Sequence, residues 1–445
     1  MSKPVCLVTA PVGTRSGYGA HARDIVRALI KLDKYDIKIW SVKWGSTPLN
    51  ALEKGNPNDD MIIERLLMEP TLPQQPEIHI HIVIPNEFKT FGKYNIGITA
   101  GLECTAIPHN WVEGMNQMDL NIVPSKFVHD VVKLTSFDVM DEQTKQMKGQ
   151  IKVTKPVEVL FEGTDTNIFK KTKEFSKDLV DEFKNVKESF NFLYTGHWLQ
   201  GKLGEDRKDT GMMLKVFLET FKDTKNAPGL IMKTSGAGFS VIDREDILKK
   251  IRDIQKTVKA KTLPSVYLFH GDFTDEEMNE LYNHPKVKAH VNITHGEGFG
   301  RPLLEATMSG KPVIASGWSG QLDFLSKQLS VLIGGSLVKV QKSSFPKDMY
   351  VDGSEWFTAN YNEFGSVLRE VQKNYKKYSL NAMKLAKVNS SAFSLKKMTT
   401  ELGKILDKYV VEAPKEVKLK LPKLKKVGEK SEPKKITLPK LKKVT

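Results

Sequence analysis

Residues 288–316 read KAHVNITHGEGFGRPLLEATMSGKPVIAS, and the order of structure within them decides the fold. KAHVNI has the apolar run of a buried strand end. PLLEATM has helical apolar spacing, Pro302 suits a first helical turn, and Gly310 with Pro312 stops the helix before a second strand, PVIAS. Strand, glycine loop, helix, strand is the repeating unit of a parallel α/β sheet, in which such a loop lies at the carboxyl end of the strand, where ligands bind. The free N–H groups of the helix start favour an anionic phosphate, and glycines let the backbone approach a ligand closely.

Glu297 and Glu305 bracket this loop and would repel a phosphate they touched. Carboxylates accept hydrogen bonds from hydroxyls, so a ligand with phosphate in its middle and hydroxyl-rich rings on both sides suits the stretch. A nucleotide sugar has that layout. Taken singly, Glu297 reads as a solvated loop residue and Glu305 as a helix-surface charge; Gly298, Phe299, Gly300, Arg301 and Pro302 between them favour the ligand reading.

HGEGFGRPLLEATMSGKPVIASGWSGQLDFL resembles the E-x7-E signature region of the retaining GT-B glycosyltransferases, particularly family four. Other segments resemble the same family in the same order: PHNWVEGMNQMDLNIVPSKF at 108–127, VLFEGTDTNIF at 159–169 and HGDFTDEEMNELY at 270–282. The likeness spans most of residues 1–410. It implies two Rossmann-like, doubly wound α/β domains facing a cleft, with Glu297 holding hydroxyls of the transferred sugar and Glu305 the ribose. It also implies front-face attack with no protein nucleophile, so neither glutamate is expected to be a general base. Many members carry a donor-contacting histidine near the segment where this chain has ITAGLECT (98–105); Glu103 is the candidate here, with His109 a few residues on, and the plain alternative for Glu103 is a loop or capping carboxylate.

Upstream, KPVCLVTA reads as a first strand, followed by a flexible loop bearing Gly13, Gly17 and Gly19, with helix from His21. This is not the G-x-G-x-x-G dinucleotide fingerprint; the resemblance places Gly17, Tyr18 and Gly19 against the cleft. Strands at DIKIWSV, EIHIHIVI, YNIGIT and LNIVPS complete an N-terminal acceptor domain over 1–172. A Lys- and Glu-rich linker, 173–189, leads to a C-terminal nucleotide-sugar donor domain over 190–385, and a helix at 386–410 is expected to cross back to the first domain.

Arg207 and Lys208 sit where a loop becomes a helix, and two fixed positive charges there suit a diphosphate leaving group. They resemble the family's Arg/Lys pair, although GKLGED lengthens the approach, and a solvated basic helix start is the plain alternative. Lys233 in LIMKTSG is a weaker second cation. Metal-dependent transferases announce themselves with D-x-D, which the sequence lacks, and no His/Cys cluster has zinc spacing. Charge compensation is therefore expected from Arg207, Lys208 and the helix start, with no metal and no cofactor beyond the nucleotide-sugar co-substrate.

The formal net charge is +15, of which 411–445 carries +8 from twelve Lys and four Glu. LPKLKKV occurs twice there, at 421–427 and 438–444, and Pro422, Pro433 and Pro439 oppose a continuous helix, so this reads as a disordered basic tail. It serves either as a solubilising spacer or to meet DNA, an anionic membrane surface or an acidic protein. Two cysteines, Cys6 and Cys104, make no disulfide framework, and no apolar run reaches spanning length, so a cytoplasmic enzyme is expected, in a host cytoplasm if phage-encoded. The acceptor is left between a glycan, a glycolipid and a modified DNA base. The competing classes are a sugar-nucleotide epimerase of GT-B architecture and a non-catalytic nucleotide-sugar or nucleic-acid-binding protein.

Overall fold

The computed structural model describes residues 3–141, 144, 146–236, 238–344 and 349–410. The basic segment 411–445, expected to be a disordered tail, lies outside the described residues.

The first lobe runs β1 (Val5–Ala10), α1 (Gly17–Leu32), β2 (Asp36–Ser41), α2 (Pro57–Ile63), β3 (Ile78–Ile82), β4 (Tyr94–Ile98), α3 (His109–Gln117), β5 (Leu120–Val123) and α4 (Lys126–Leu134). An antiparallel pair, β6 (Ser136–Met140) and β7 (Met147–Lys152), precedes β8 (Val157–Val159). Six of these strands form a wholly parallel sheet in the order β2-β1-β3-β4-β5-β8. Parallel strands are covered on both faces, and β3 accordingly buries every residue of IHIHI, its histidines included.

In the second lobe the order is α5 (Lys177–Lys184), β9 (Asn191–His197), α6 (Thr210–Phe221), β10 (Gly229–Ser235), α7 (Val241–Thr257), β11 (Val266–Phe269), α8 (Asp275–Asn283), β12 (Val287–Asn292), α9 (Arg301–Met308), β13 (Val313–Ser316) and β14 (Val331–Ile333). Its parallel sheet is ordered β11-β10-β9-β12-β13-β14. An antiparallel hairpin, β15 (Gly335–Lys339) and β16 (Glu355–Ala359), then leads to α10 (Tyr361–Lys373), α11 (Tyr375–Ala392) and α12 (Leu395–Tyr409). The segment 173–189 that joins the lobes carries α5, whose Leu179 and Phe183 are buried in the core of the second lobe. Among the described residues, no helix is long and apolar enough to cross a membrane.

Both cysteines are buried and unbridged. Helix α1 begins at Gly17 and not at His21, because Ser16 caps it: Gly19 N–H donates to Ser16 Oγ at 3.0 Å, drawing the two glycines into the first turn. A Cβ on Gly19 would lie 2.3 Å from the Thr14 carbonyl oxygen, so that glycine serves the tight turn. The helical stretch 361–392 breaks at Asn374, which leaves the helical conformation (φ −109°, ψ 31°) as the C-cap of α10 and the N-cap of α11.

The lobes are joined at their last helices. Thr164 exchanges backbone hydrogen bonds with Phe393 and Leu395, Gly163 meets Met398, and α12 lies on α1, with Met398, Leu402 and Leu406 in the first lobe's core.

Candidate active site between the lobes

Each sheet has one place where neighbouring strands send their connections to opposite faces, and in open α/β sheets ligands bind outside the carboxyl ends of those strands. In the first sheet this point lies between β1 and β3, and the loop leaving β1 is the glycine segment before α1. In the second it lies between β9 and β12. The loop leaving β9 carries Arg207 and Lys208, and the loop leaving β12 carries Glu297. The strand order alone thus converges the motifs.

Their side chains meet. Lys208 Nζ is ion-paired with Glu297, and Arg207 is ion-paired with Glu103 of the opposite lobe. Arg301, in the first turn of α9, donates from Nε to Glu305 at 2.8 Å and from its terminal nitrogen to Asp24 of α1 at 2.5 Å. Arg15 reaches Asp272 at 3.2 Å, a further pair between the lobes. Glu297 and Glu305 are only 7% and 8% exposed, so neither is the solvated surface charge that each suggests in isolation.

The arginine and lysine are held at both ends of their tetrapeptide. Asp206 accepts from Thr210 N–H at 3.0 Å and so caps α6, while Asp209, at φ 50°, accepts from Tyr361 Oη at 2.8 Å. The Arg207 carbonyl accepts from His295 N–H and from Thr294 Oγ1, both at 3.2 Å, which staples the cation loop to the chain just before Glu297. His295 is stacked on Trp356, ring centroids 4.1 Å apart. Burial lowers the Lys208 pKa, aided by neighbouring Arg207 and opposed by Glu297 and Glu103.

Glycines bring the lobes together as well as leaving space. A Cβ on Gly298 would stand 2.1 Å from the Ala100 carbonyl oxygen of the first lobe, and the Gly298 carbonyl accepts from Ser125 Oγ at 2.5 Å. Phe299 is buried among Phe324 and Phe393 and so serves packing. Gly300 takes φ 95°, the left-handed conformation that starts α9. Across the cleft, Tyr18 Oη lies 2.9 Å from Thr99 Oγ1, accepts from Ala100 N–H at 3.0 Å, and its ring stacks on Trp44.

Lys233 lies one strand further out, on β10. Its Nζ donates to the Gly271 carbonyl at 2.7 Å and sits over the Phe273 ring, and burial pulls its pKa down to about 8. It makes no ion pair with Glu297 or Glu305 among the described residues. His109 is half exposed beside Glu113 on α3. Among the described residues, no group of three His, Cys, Asp or Glu side chains is placed to hold a metal.

Three further residues join the cluster, Glu162 from within VLFEGTDTNIF and Asp24 and His197 from stretches that carry no motif. Asp24 is 3% exposed on the inward face of α1, where His21, Ile25 and Ala28 are also buried; an acid at an apolar helical position was the available signal. Glu162, 8% exposed, has no hydrogen-bond donor among the described residues and senses Arg301, Asp24, Glu297 and Lys208; burial pushes its carboxyl up to about 7. His197 ends β9, where burial and the nearby Lys208, Arg207 and Lys233 lower its pKa.

With this geometry in view, residues 217–341 match the family described as Glycosyl transferases group 1, a span that holds Lys233, Glu297 and Glu305. No curated protein sequence matches the chain. Among solved structures, the chain is similar to a glycosyltransferase from Rickettsia africae, with a TM-score of 0.60 at 13% identity over 93% of this chain and 100% of that one. It is similar also to Anabaena HepE in complex with UDP and glucose, TM-score 0.58 at 11% identity over 91% and 100% of the two chains. Sucrose-phosphate synthase from Thermosynechococcus elongatus gives a TM-score of 0.58 at 11% identity over 91% and 98%. The chain has the GT-B fold, two Rossmann-like lobes, and its match to the group 1 glycosyl transferases falls within the second of them.

Proposed function

We propose that the protein is a retaining, metal-independent glycosyltransferase that moves a hexose-type sugar from a nucleoside diphosphate to an acceptor hydroxyl. The observation that carries this reading is the pairing of Lys208 with Glu297 beside that of Arg207 with Glu103, at the switch point of the second sheet and across the cleft from the first.

In the reaction, the bond between the anomeric carbon and the diphosphate oxygen breaks, the acceptor oxygen bonds the same carbon, and the hydroxyl proton passes to the departing diphosphate. Negative charge grows on that diphosphate. Arg207, Lys208 and the positive end of the α9 dipole are fixed before the reaction and stabilise it without reorganisation. When a donor enters, the diphosphate takes over Lys208 and Arg207, freeing Glu297 and Glu103 to accept from sugar hydroxyls. Arg301 holds one oxygen of Glu305, and the other accepts from no described residue, which suits a ribose hydroxyl.

Complexes of structural neighbours with UDP and with UDP-glucose make UDP-hexoses the first donors to try. Product analysis tests the reading: transfer releases a nucleoside diphosphate and enlarges an acceptor with the anomeric configuration kept, whereas an epimerase alters the sugar alone and a binding module does neither. Full activity after exhaustive chelation is expected; loss restored by a divalent ion would refute the metal-independent form.

A further inference from the structure

Asp24 stands buried on α1 of the first lobe, on the helix face that also buries His21, Ile25 and Ala28. One of its oxygens accepts from Arg301 of α9 at 2.5 Å, and the other lies 3.5 Å from Arg27, one turn along α1. Arg27 is in turn held by α2: it donates to the Asp59 carboxylate at 2.8 Å and to the Asn58 carbonyl at 3.1 Å. The second Asp59 oxygen accepts from Glu53 N–H at 3.1 Å. Acid and base therefore alternate from Asp59 through Arg27, Asp24 and Arg301 to Glu305, with the first-lobe end anchored.

The far end of this series is loose without Asp24. Arg301 and Glu305 are an i, i+4 pair on α9 with the base first, the weaker order on a helix, and an arginine bound at one nitrogen still swings about its long side chain. Asp24 takes a second nitrogen of the same planar guanidinium. The plane is then fixed at two points, and with it the direction of the Nε–H bond to Glu305. Glu305 has no other hydrogen-bond donor among the described residues, so its carboxylate is oriented through that bond.

A pair serving only to hold the lobes together would sit as well at the rim, as Arg15 and Asp272 do with side chains 30% and 34% exposed. The side chains of Asp24 and Arg301 are 4% and 14% exposed, and burying an ion pair costs about as much in lost hydration as it gains in attraction. What the buried pair adds is orientation.

We propose that Asp24 is a positioning residue for the donor: from the first lobe, through Arg301, it aims the Glu305 carboxylate at a ribose hydroxyl, so the grip on the ribose is complete only with the lobes together. The inference rests on the reading of Glu305 as the ribose acceptor. It assigns selectivity for a ribonucleotide over a deoxyribonucleotide donor in part to a residue of the lobe opposite Glu305. By linkage, a ligand that uses this grip also favours the closed arrangement.

The test reads binding and needs no turnover. Uridine, guanosine and adenosine diphosphates, each with its 2′-deoxy and 3′-deoxy analogues, are titrated calorimetrically against the full-length parent, Asp24→Ala, Asp24→Asn and Glu305→Ala, with thermal unfolding run on the same preparations. For the tightest diphosphate the parent is expected to prefer the ribose over one of the deoxyribose forms about tenfold or more, as suits a hydrogen bond to a charged group. In Asp24→Ala, as in Glu305→Ala, that ratio should fall to within about threefold of unity while the deoxy analogue binds within about threefold of parent. Asp24→Asn, isosteric and with one oxygen left for Arg301, should fall between parent and alanine, and it carries the test should the alanine protein not fold. An unchanged ratio in a folded Asp24 variant, or equal weakening of both ligands, marks a structural tie alone and overturns the inference; the reading of Glu305 then stands if Glu305→Ala has lost the ratio. No binding by any diphosphate, no ribose preference in the parent, or a preference kept in Glu305→Ala would overturn both.

Discussion

Gly298→Ala puts a methyl group into the tightest contact between the lobes. Its carbon would lie 2.1 Å from the Ala100 oxygen and 3.3 Å from the Ala100 carbonyl carbon; reaching the 3.4 Å at which such contacts become ordinary needs an opening of about 1.3 Å. Neither side yields easily. The Gly298 carbonyl is gripped by Ser125, itself fully buried, and its oxygen lies 2.0 Å from where a Gly320 Cβ would stand. The lobes must part instead, separating Glu103 from Arg207 and Asp24 from Arg301. Misplacing reacting groups by about 1 Å costs on the order of a hundredfold, so kcat/KM with the best donor should fall about a hundredfold, near 2.7 kcal/mol of transition-state stabilisation. Each lobe's own core is untouched, so thermal unfolding should drop by only about 2–4 °C per kcal/mol of overpacking strain, and small-angle scattering should show an expanded ligand-free particle. Initial rates, a melting curve and the scattering profile on the same preparation decide the matter. Parental kcat/KM in a well-folded Gly298→Ala protein would refute the reasoning that closure at this glycine builds the site.

Other expectations separate roles that look alike in sequence. Gly19→Ala should destabilise by about 1–3 kcal/mol, because its Cβ meets the Thr14 carbonyl at 2.3 Å, whereas Gly17→Ala, with nothing within 4 Å, should stay within about 1 kcal/mol of parent in denaturant unfolding. Glu162 titrates near 7 when folded, against 4.5 for the free group, so its folded form holds a proton that the unfolded chain releases; its contribution to stability is full below 4.5 and lost as pH rises through 7. Glu162→Gln should therefore melt higher than parent above pH 7, with the difference closing toward pH 4.5; a pH-independent difference would remove burial of that carboxylate as its cause. A chain ending at Val410 should keep the parental melting temperature, since Met1–Val410 is a compact unit, and if the basic segment meets DNA it should bind duplex more weakly than the whole chain, with a shallower salt dependence.

What the sequence showed of the fold came from period and punctuation. Apolar runs such as FNFLYTG and GLIMKTS, short and bounded by turn residues, read as strands covered on both faces, and Pro302 with Gly310 bounded α9 as read. Strand β15, GSLVK, stayed hidden because it is exposed along its whole length and leaves no apolar alternation to detect. In the site, residues one strand order brings together were legible through their motifs, but which cation meets which acid was not. Asp24 reaches Arg301 from 277 positions away, and no local pattern encodes a contact made only when two lobes close. The glycines of 296–300 illustrate the same limit: their spacing suggests room for a ligand, while Gly298 and Gly296 are also required by Ala100 and Glu103 of the opposite lobe.

The central claim is that a nucleotide sugar's diphosphate is neutralised in this cleft by protein cations. It is tested most directly by following nucleoside diphosphate release from a panel of nucleotide sugars, in chelator, by the parent, Lys208→Ala and Glu305→Ala. Release from at least one donor is predicted, with turnover lowered roughly a hundredfold or more in Lys208→Ala and the KM for donor raised in Glu305→Ala, both variants remaining folded by circular dichroism. Release at parental rates by both folded variants would contradict the account.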